Sequence, residues 1–116
     1  MVMAFSLRAA PIYDVLITGG TVIDGTGEPG FAADIALKGQ RIAGISRAPL
    51  PRASAKQVIN AKGLIITPGF IDMHAHIDPI TKLPETRSMV SQGVTTAIGG
   101  PDGSAPWPLA PYLKLL

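Results

Sequence analysis

Glycine and proline recur so often in this chain that no long uninterrupted element can form. Thirteen glycines and eleven prolines are spread through 116 residues, and they cut the apolar residues into short runs rich in valine, isoleucine and threonine. Every apolar run is interrupted by Gly, Pro or a charge well before the about 18 residues that a membrane span requires. With 47% hydrophobic residues, the chain is nonetheless too apolar for a disordered, charge-rich tail.

From Tyr13 to Ser46 the pattern is that of short strands between turns. Val15–Ile17 leads into Gly19-Gly20, a pair suited to a tight hairpin turn, after which Thr21–Asp24 is expected to run back. Asp34–Lys38 alternates apolar and polar residues, turns at Gly39-Gln40 and continues as Arg41–Ser46. This spacing predicts a small antiparallel β unit. A proline-containing loop, Ala48–Lys56, precedes further strand-like runs at Gln57–Asn60 and Leu64–Thr67.

The character changes after Pro68-Gly69. Phe70–Ile77 is an extended run, and Pro84–Gln92 reads as a helix with Pro84 near its start and Gly93 just past its end. Val94–Ile98 suits a buried parallel strand. A loop dense in Gly and Pro follows, and then a second helix, Leu109–Leu116, which tolerates Pro111 only in its first turn. Strands followed by strand–helix–strand–helix point to two architectures, the second of the α/β class. The expected division is an extension at 1–12, a β-sandwich part at 13–66 and the start of a barrel at 67–116.

Composition excludes several functions. The net charge of +2 arises from ten basic and eight acidic groups placed singly, and aromatic residues make up 5%, so there is no basic, aromatic-lined surface for nucleic acid. The absence of cysteine removes disulfide frameworks, thiolate zinc fingers and cysteine nucleophiles. Met1–Pro11 is too short for a secretory signal of about 15–30 residues, and its one arginine is misplaced for one. It reads as a frayed extension, which implies a cytoplasmic protein, or as a truncated export signal, which implies a periplasmic one.

Gly25-Thr26-Gly27-Glu28-Pro29-Gly30 fits the G-x-G-x-x-G pattern of dinucleotide sites. That chemistry needs a helix opening at the loop, with its N–H groups free to face a pyrophosphate. Pro29 removes a donor, Glu28 adds a repelling charge, and a strand follows. The segment is read as a glycine-rich connection.

Asp72-Met73-His74-Ala75-His76-Ile77-Asp78 carries the chemistry. Alternate residues of a strand share a face, so Asp72, His74, His76 and Asp78 are expected on one side and Ile71, Met73, Ala75 and Ile77 on the other. Two imidazoles and two carboxylates on one face are costly to bury unpartnered. They form either a hydrogen-bonded polar strand or a site for a divalent ion, which two histidines at i and i+2 can share.

The run PGFIDMHAH, preceded by DVLITGGTVIDGTGEPG and DIALKGQRIAGIS, resembles the start of the amidohydrolase superfamily. Those are metal-dependent hydrolases built on a (β/α)8 barrel of the TIM type with a small β-sandwich. Within it, TVIDGTG, HAHID and QGVTTAIGG resemble the N-acyl-D-amino-acid deacylases, and the likeness extends from Tyr13 to Leu116. It implies that His74 and His76 bind one or two divalent ions, zinc above all, at the carboxyl end of the first barrel strand. It also implies that Asp72 orients the ligand loop and that Asp78 lines the site. Deacylases of this type often carry a metal-binding cysteine just after the second strand. Here Asp102 stands in that position, between Pro101 and Gly103, and is either an oxygen ligand or a turn residue.

The implied reaction is hydrolysis of a linear, non-peptide amide in a small molecule, with N-acyl-D-amino acids as substrates. A cyclic amidohydrolase of the dihydroorotase or hydantoinase kind, or an isoaspartyl dipeptidase, is the alternative within the superfamily. No histidine follows His76 and no acidic residue follows Asp102, so the catalytic acid–base is expected downstream. A barrel takes about 250 residues, so the chain is expected to be an N-terminal piece that is inactive alone. Two readings from other classes remain: a non-catalytic partner that lends its β unit to a separate barrel chain, and a β domain with a structural histidine pair.

Overall fold

The computed structural model describes residues 10–77, 85–103 and 105–115. The chain divides into two units, Met1–Pro68 and Gly69–Leu116. The first is a single sheet of five strands: β1 (Tyr13–Val22), β2 (Phe31–Lys38), β3 (Arg41–Ser46), β4 (Ala55–Asn60) and the short β5 (Ile65–Ile66). The order is β3-β2-β1-β4, with β5 pairing the far end of β1.

One feature of this sheet differs from the sequence expectation. Gly19-Gly20 does not turn the chain back, because Tyr13–Val22 is one continuous strand. Ile17 pairs with Ile35 and Gly20 with Ala33, so β1 advances three residues while β2 advances two. The extra residue makes a bulge. Gly19 takes the left-handed conformation there, with φ of 74°, and its amide, turned out of the ladder, is accepted by Asp34 Oδ1 at 2.9 Å. The glycine pair that suits a hairpin turn serves a bulge equally well, because both need positive φ.

The strands of Tyr13–Ser46 pair antiparallel, as expected, and the addition of β4 and β5 makes the whole sheet mixed. Both β4 and β5 run parallel to β1. The connection after β3, which includes a 3-10 turn at Arg52–Ser54, is long enough to carry the chain back past β1 and β2 before β4 begins. The other strand pairs, β1 with β2 and β2 with β3, are antiparallel. Val22, Ala33 and Ile35 form the buried cluster, with Ile17, Phe31, Leu37 and Ile66 packed against it.

The glycine-rich loop joins β1 to β2, so no helix opens at it. Asp24 Oδ1 accepts the Thr26 amide at 3.0 Å and the Thr26 hydroxyl at 2.6 Å. This local turn accounts for the loop without a phosphate.

The second unit contains β6 (Phe70–Ala75), α1 (Arg87–Val90), β7 (Val94–Gly99) and α2 (Leu109–Leu113). The strands β6 and β7 are parallel, as a strand–helix–strand crossover requires. Helix α1 is shorter than the predicted 84–92 span. The Ser88 carbonyl is taken up by Ser91 Oγ at 3.1 Å and by Gln92 Nε2 at 2.9 Å, bonds that compete with continued helix. Pro84 lies outside the described residues. Pro111 falls in the first turn of α2, where a missing N–H costs nothing. Among the described residues, no helix is long and apolar enough to cross a membrane.

Candidate metal centre

Parallel pairing sets the site. Ala75 of β6 pairs with Gly99 of β7, so the carboxyl ends of both strands lie side by side and both connections leave on the same side of the sheet. His74 and His76 flank Ala75, which is itself buried. Beyond Gly99 the backbone turns sharply. Gly100, Asp102 and Gly103 have φ of 82°, 59° and 71°, and among the described residues Asp102 is the one non-glycine residue with positive φ. A non-glycine residue in this region is uncommon, although Asp tolerates it better than most.

The turn carries the Asp102 carboxylate to the two histidines. Its Oδ2 is 3.3 Å from His74 Nε2 and 3.8 Å from His76 Nε2. The imidazole centroids are 5.3 Å apart, with their planes at 48°. One ligand atom from each of the three residues lies within 4.8 Å of the others. All three side chains are well exposed, at 60%, 63% and 67% for His74, His76 and Asp102.

Asp72 and the histidines it precedes are related differently from strict alternation. The register shifts between Asp72 and Ala75, and Asp72 Oδ1 accepts the backbone amide of His74 at 3.0 Å. Its carboxylate therefore shapes the backbone that carries His74. On the apolar side, Ala75 is buried and Ile77 half-buried, but Ile71 and Met73 are exposed. Asp78 lies outside the described residues.

The spacing of the donors bears on whether an ion can sit among them. Zinc–nitrogen and zinc–oxygen bonds of about 2.0–2.1 Å imply ligand–ligand edges of about 3.3 Å in a tetrahedron. The 3.3 Å and 3.8 Å separations from Asp102 fall at and slightly above that edge, and the third lies within 4.8 Å, so the three residues could hold a divalent cation once the two imidazoles close on it.

A strand-rich unit precedes a parallel strand–helix–strand whose first strand carries paired histidines at its carboxyl end. The chain matches the model of the amidohydrolase family over residues 57–109. It is 41% identical over 99 residues to a D-aminoacylase of Alcaligenes xylosoxydans xylosoxydans, covering 84% of this chain and 20% of that protein. It is 42% identical over 91 residues to adenine deaminase 2 of Agrobacterium fabrum strain C58, covering 77% of this chain and 15% of that one. The crystal structure of N-acyl-D-glutamate deacylase from Bordetella bronchiseptica, complexed with zinc and a phosphonate mimic of the tetrahedral intermediate, superposes with a TM-score of 0.69. That likeness comes at 43% identity, over 76% of this chain and 18% of that one. The chain thus spans a fifth or less of the length of the curated relatives named here.

Proposed function

We propose that this chain supplies the first metal-binding residues of an amidohydrolase that cleaves the amide of N-acyl-D-amino acids, with His74, His76 and Asp102 as ligands of a divalent ion. The observation that carries the reading is the approach of Asp102 Oδ2 to both imidazoles at spacings a zinc ion spans. Likeness to a D-aminoacylase supports the substrate class, and the zinc in the related deacylase supports the metal.

A divalent ion held by His74, His76 and Asp102 would supply Lewis-acid activation of water and of the substrate carbonyl. The chain's own residues prepare that centre. His74 and His76 turn their Nε2 atoms towards Asp102 Oδ2, and Asp72 holds the His74 backbone so that its ring leaves β6 at a fixed point. A carboxylate committed to a metal cannot also carry the proton to the leaving nitrogen. The general acid–base is therefore assigned to the remainder of the enzyme.

Adenine deaminase 2, at 42% identity, supports a second reading, hydrolytic removal of ammonia from a purine. The two are separated by assaying the enzyme that contains this segment for D-amino acid release from N-acyl-D-amino acids and for ammonia release from adenine. The first activity alone is expected. His74→Ala should lower its kcat/KM by at least about a hundredfold, since even groups that merely orient metal ligands cost about 10–100-fold. Adenine deamination without deacylation overturns the substrate assignment.

A further inference from the structure

The three donors come from two separate connections. His74 and His76 stand at the end of β6, and Asp102 stands in the turn that leaves β7. Asp102 and Gly103 are exposed there, and both, like Gly100 just before the turn, have positive φ. Among the described residues, the polar contacts of the Asp102 carboxylate are the two imidazoles. Contacts of 3.3 Å and 3.8 Å between exposed groups hold such a turn weakly. Ligation at about 2 Å would hold it firmly.

All three donors also lie in one unit, Gly69–Leu116. We infer that Asp102 is a brace: through the shared ion it pins the Pro101–Gly103 turn to the carboxyl end of β6, and the three-donor set loads without help from any other part of the enzyme. The chain has no cysteine, so the donors are imidazole and carboxylate. The class of ion they take is a borderline divalent cation such as zinc, cobalt or manganese, rather than a thiophilic one. This rests on the reading of the site as a metal centre and adds to it a mechanical role for Asp102.

The test titrates the whole 116-residue chain with zinc chloride, following heat of binding and amide hydrogen exchange at Gly99–Gly103. One zinc per chain is expected, with exchange at these amides slowed at least about tenfold on binding. Asp102→Asn is the informative variant, because Asn tolerates the left-handed backbone of the turn but lacks the charge. It should bind zinc at least about tenfold more weakly, and the slowing of exchange at Gly99–Gly103 should be lost even at saturating zinc.

Zinc that binds the parent chain and the Asn variant equally, leaving the turn's exchange unchanged, overturns the brace while the metal reading stands. In that case His74→Ala still abolishes binding. Zinc that binds the parent chain and His74→Ala alike overturns the metal reading and the brace together. Failure of the parent chain to bind zinc at all overturns the self-contained site.

Discussion

Asp34 ties the bulge of β1 to the loop beyond β3. Its Oδ1 accepts the Gly19 amide at 2.9 Å and its Oδ2 accepts the Leu50 amide at 2.8 Å, and the side chain is buried at 7% exposure. Each amide lies outside the regular ladder, so Asp34 is what satisfies it. Asp34→Ala should destabilise the sheet by about 2–3 kcal/mol, because it leaves partly buried donors without an acceptor. Asp34→Asn, which keeps one oxygen, should cost less. Urea unfolding of the three chains measures the difference, and an unchanged midpoint for Asp34→Ala would refute the role.

Gly69 packs directly on Thr95 at the start of the strand pair. A Cβ added at Gly69 would run into the Thr95 hydroxyl and methyl and would lie 2.8 Å from Thr95 Cβ. The side chain of Thr95 is rooted in β7, so relief requires the strands to separate. Gly69→Ala is expected to cost about 1–3 kcal/mol, as overpacking usually does. Amide exchange within Phe70–Ala75 and Val94–Gly99 should accelerate, while exchange in β1 and β2 stays as it was.

Much of the sheet and site was legible because it depends on local signals. The turn at Gly39-Gln40, the parallel strand expected at Val94–Ile98 and the helix that admits Pro111 all follow from residues a few positions apart. Strand β7 is nonetheless half-buried to exposed rather than buried, because only β6 pairs with it among the described residues. The pairing of β4 with β1 was not legible, because parallel register between residues some forty positions apart leaves no local mark. Gly19-Gly20 misled for a related reason: hairpin turn and bulge ask the same φ of a glycine, and Asp34, which decides between them, lies fifteen residues away. The metal candidates divide likewise. His74 and His76 stand out by spacing, whereas the approach of Asp102 depends on Ala75 pairing with Gly99. Asp72, expected to orient the ligand loop, accepts the backbone amide of His74, a contact that its position in the sequence does not specify.

Asp14 gives the first unit a measurable acid response. Its Oδ2 accepts the Gly39 amide at 2.7 Å and its Oδ1 pairs with Lys56 at 2.7 Å. The Gly39 amide first, and Lys56 next, hold its carboxyl below the usual value of 3.8. A carboxylate depressed on folding stabilises the fold above its unfolded pKa, and that contribution is lost as pH falls through the lower folded value. Asp14→Asn should therefore be less stable than the parent chain at pH 6, with the gap closing as pH drops below 3.8. Because the site is exposed, the effect is small, and its Lys56 part should shrink in high salt. A gap independent of pH would show that the carboxylate's charge is not involved.

The second unit leaves apolar side chains in contact with solvent. Ile71 and Met73 on β6, Val90 on α1 and Ile98 on β7 are exposed at 60%, 69%, 62% and 47%. Among the described residues β6 and β7 pair only with each other, so each keeps an open edge. Open edges beside apolar side chains template further pairing, and clustered apolar surface favours association. The 116-residue chain should therefore scatter light with an apparent mass that rises with concentration above its 12.0 kDa. Ile71→Lys combined with Ile98→Lys, which puts charge on both strands, should return the mass towards the monomer. A parent chain that stays monomeric across the same concentrations would show that these strands are protected in solution.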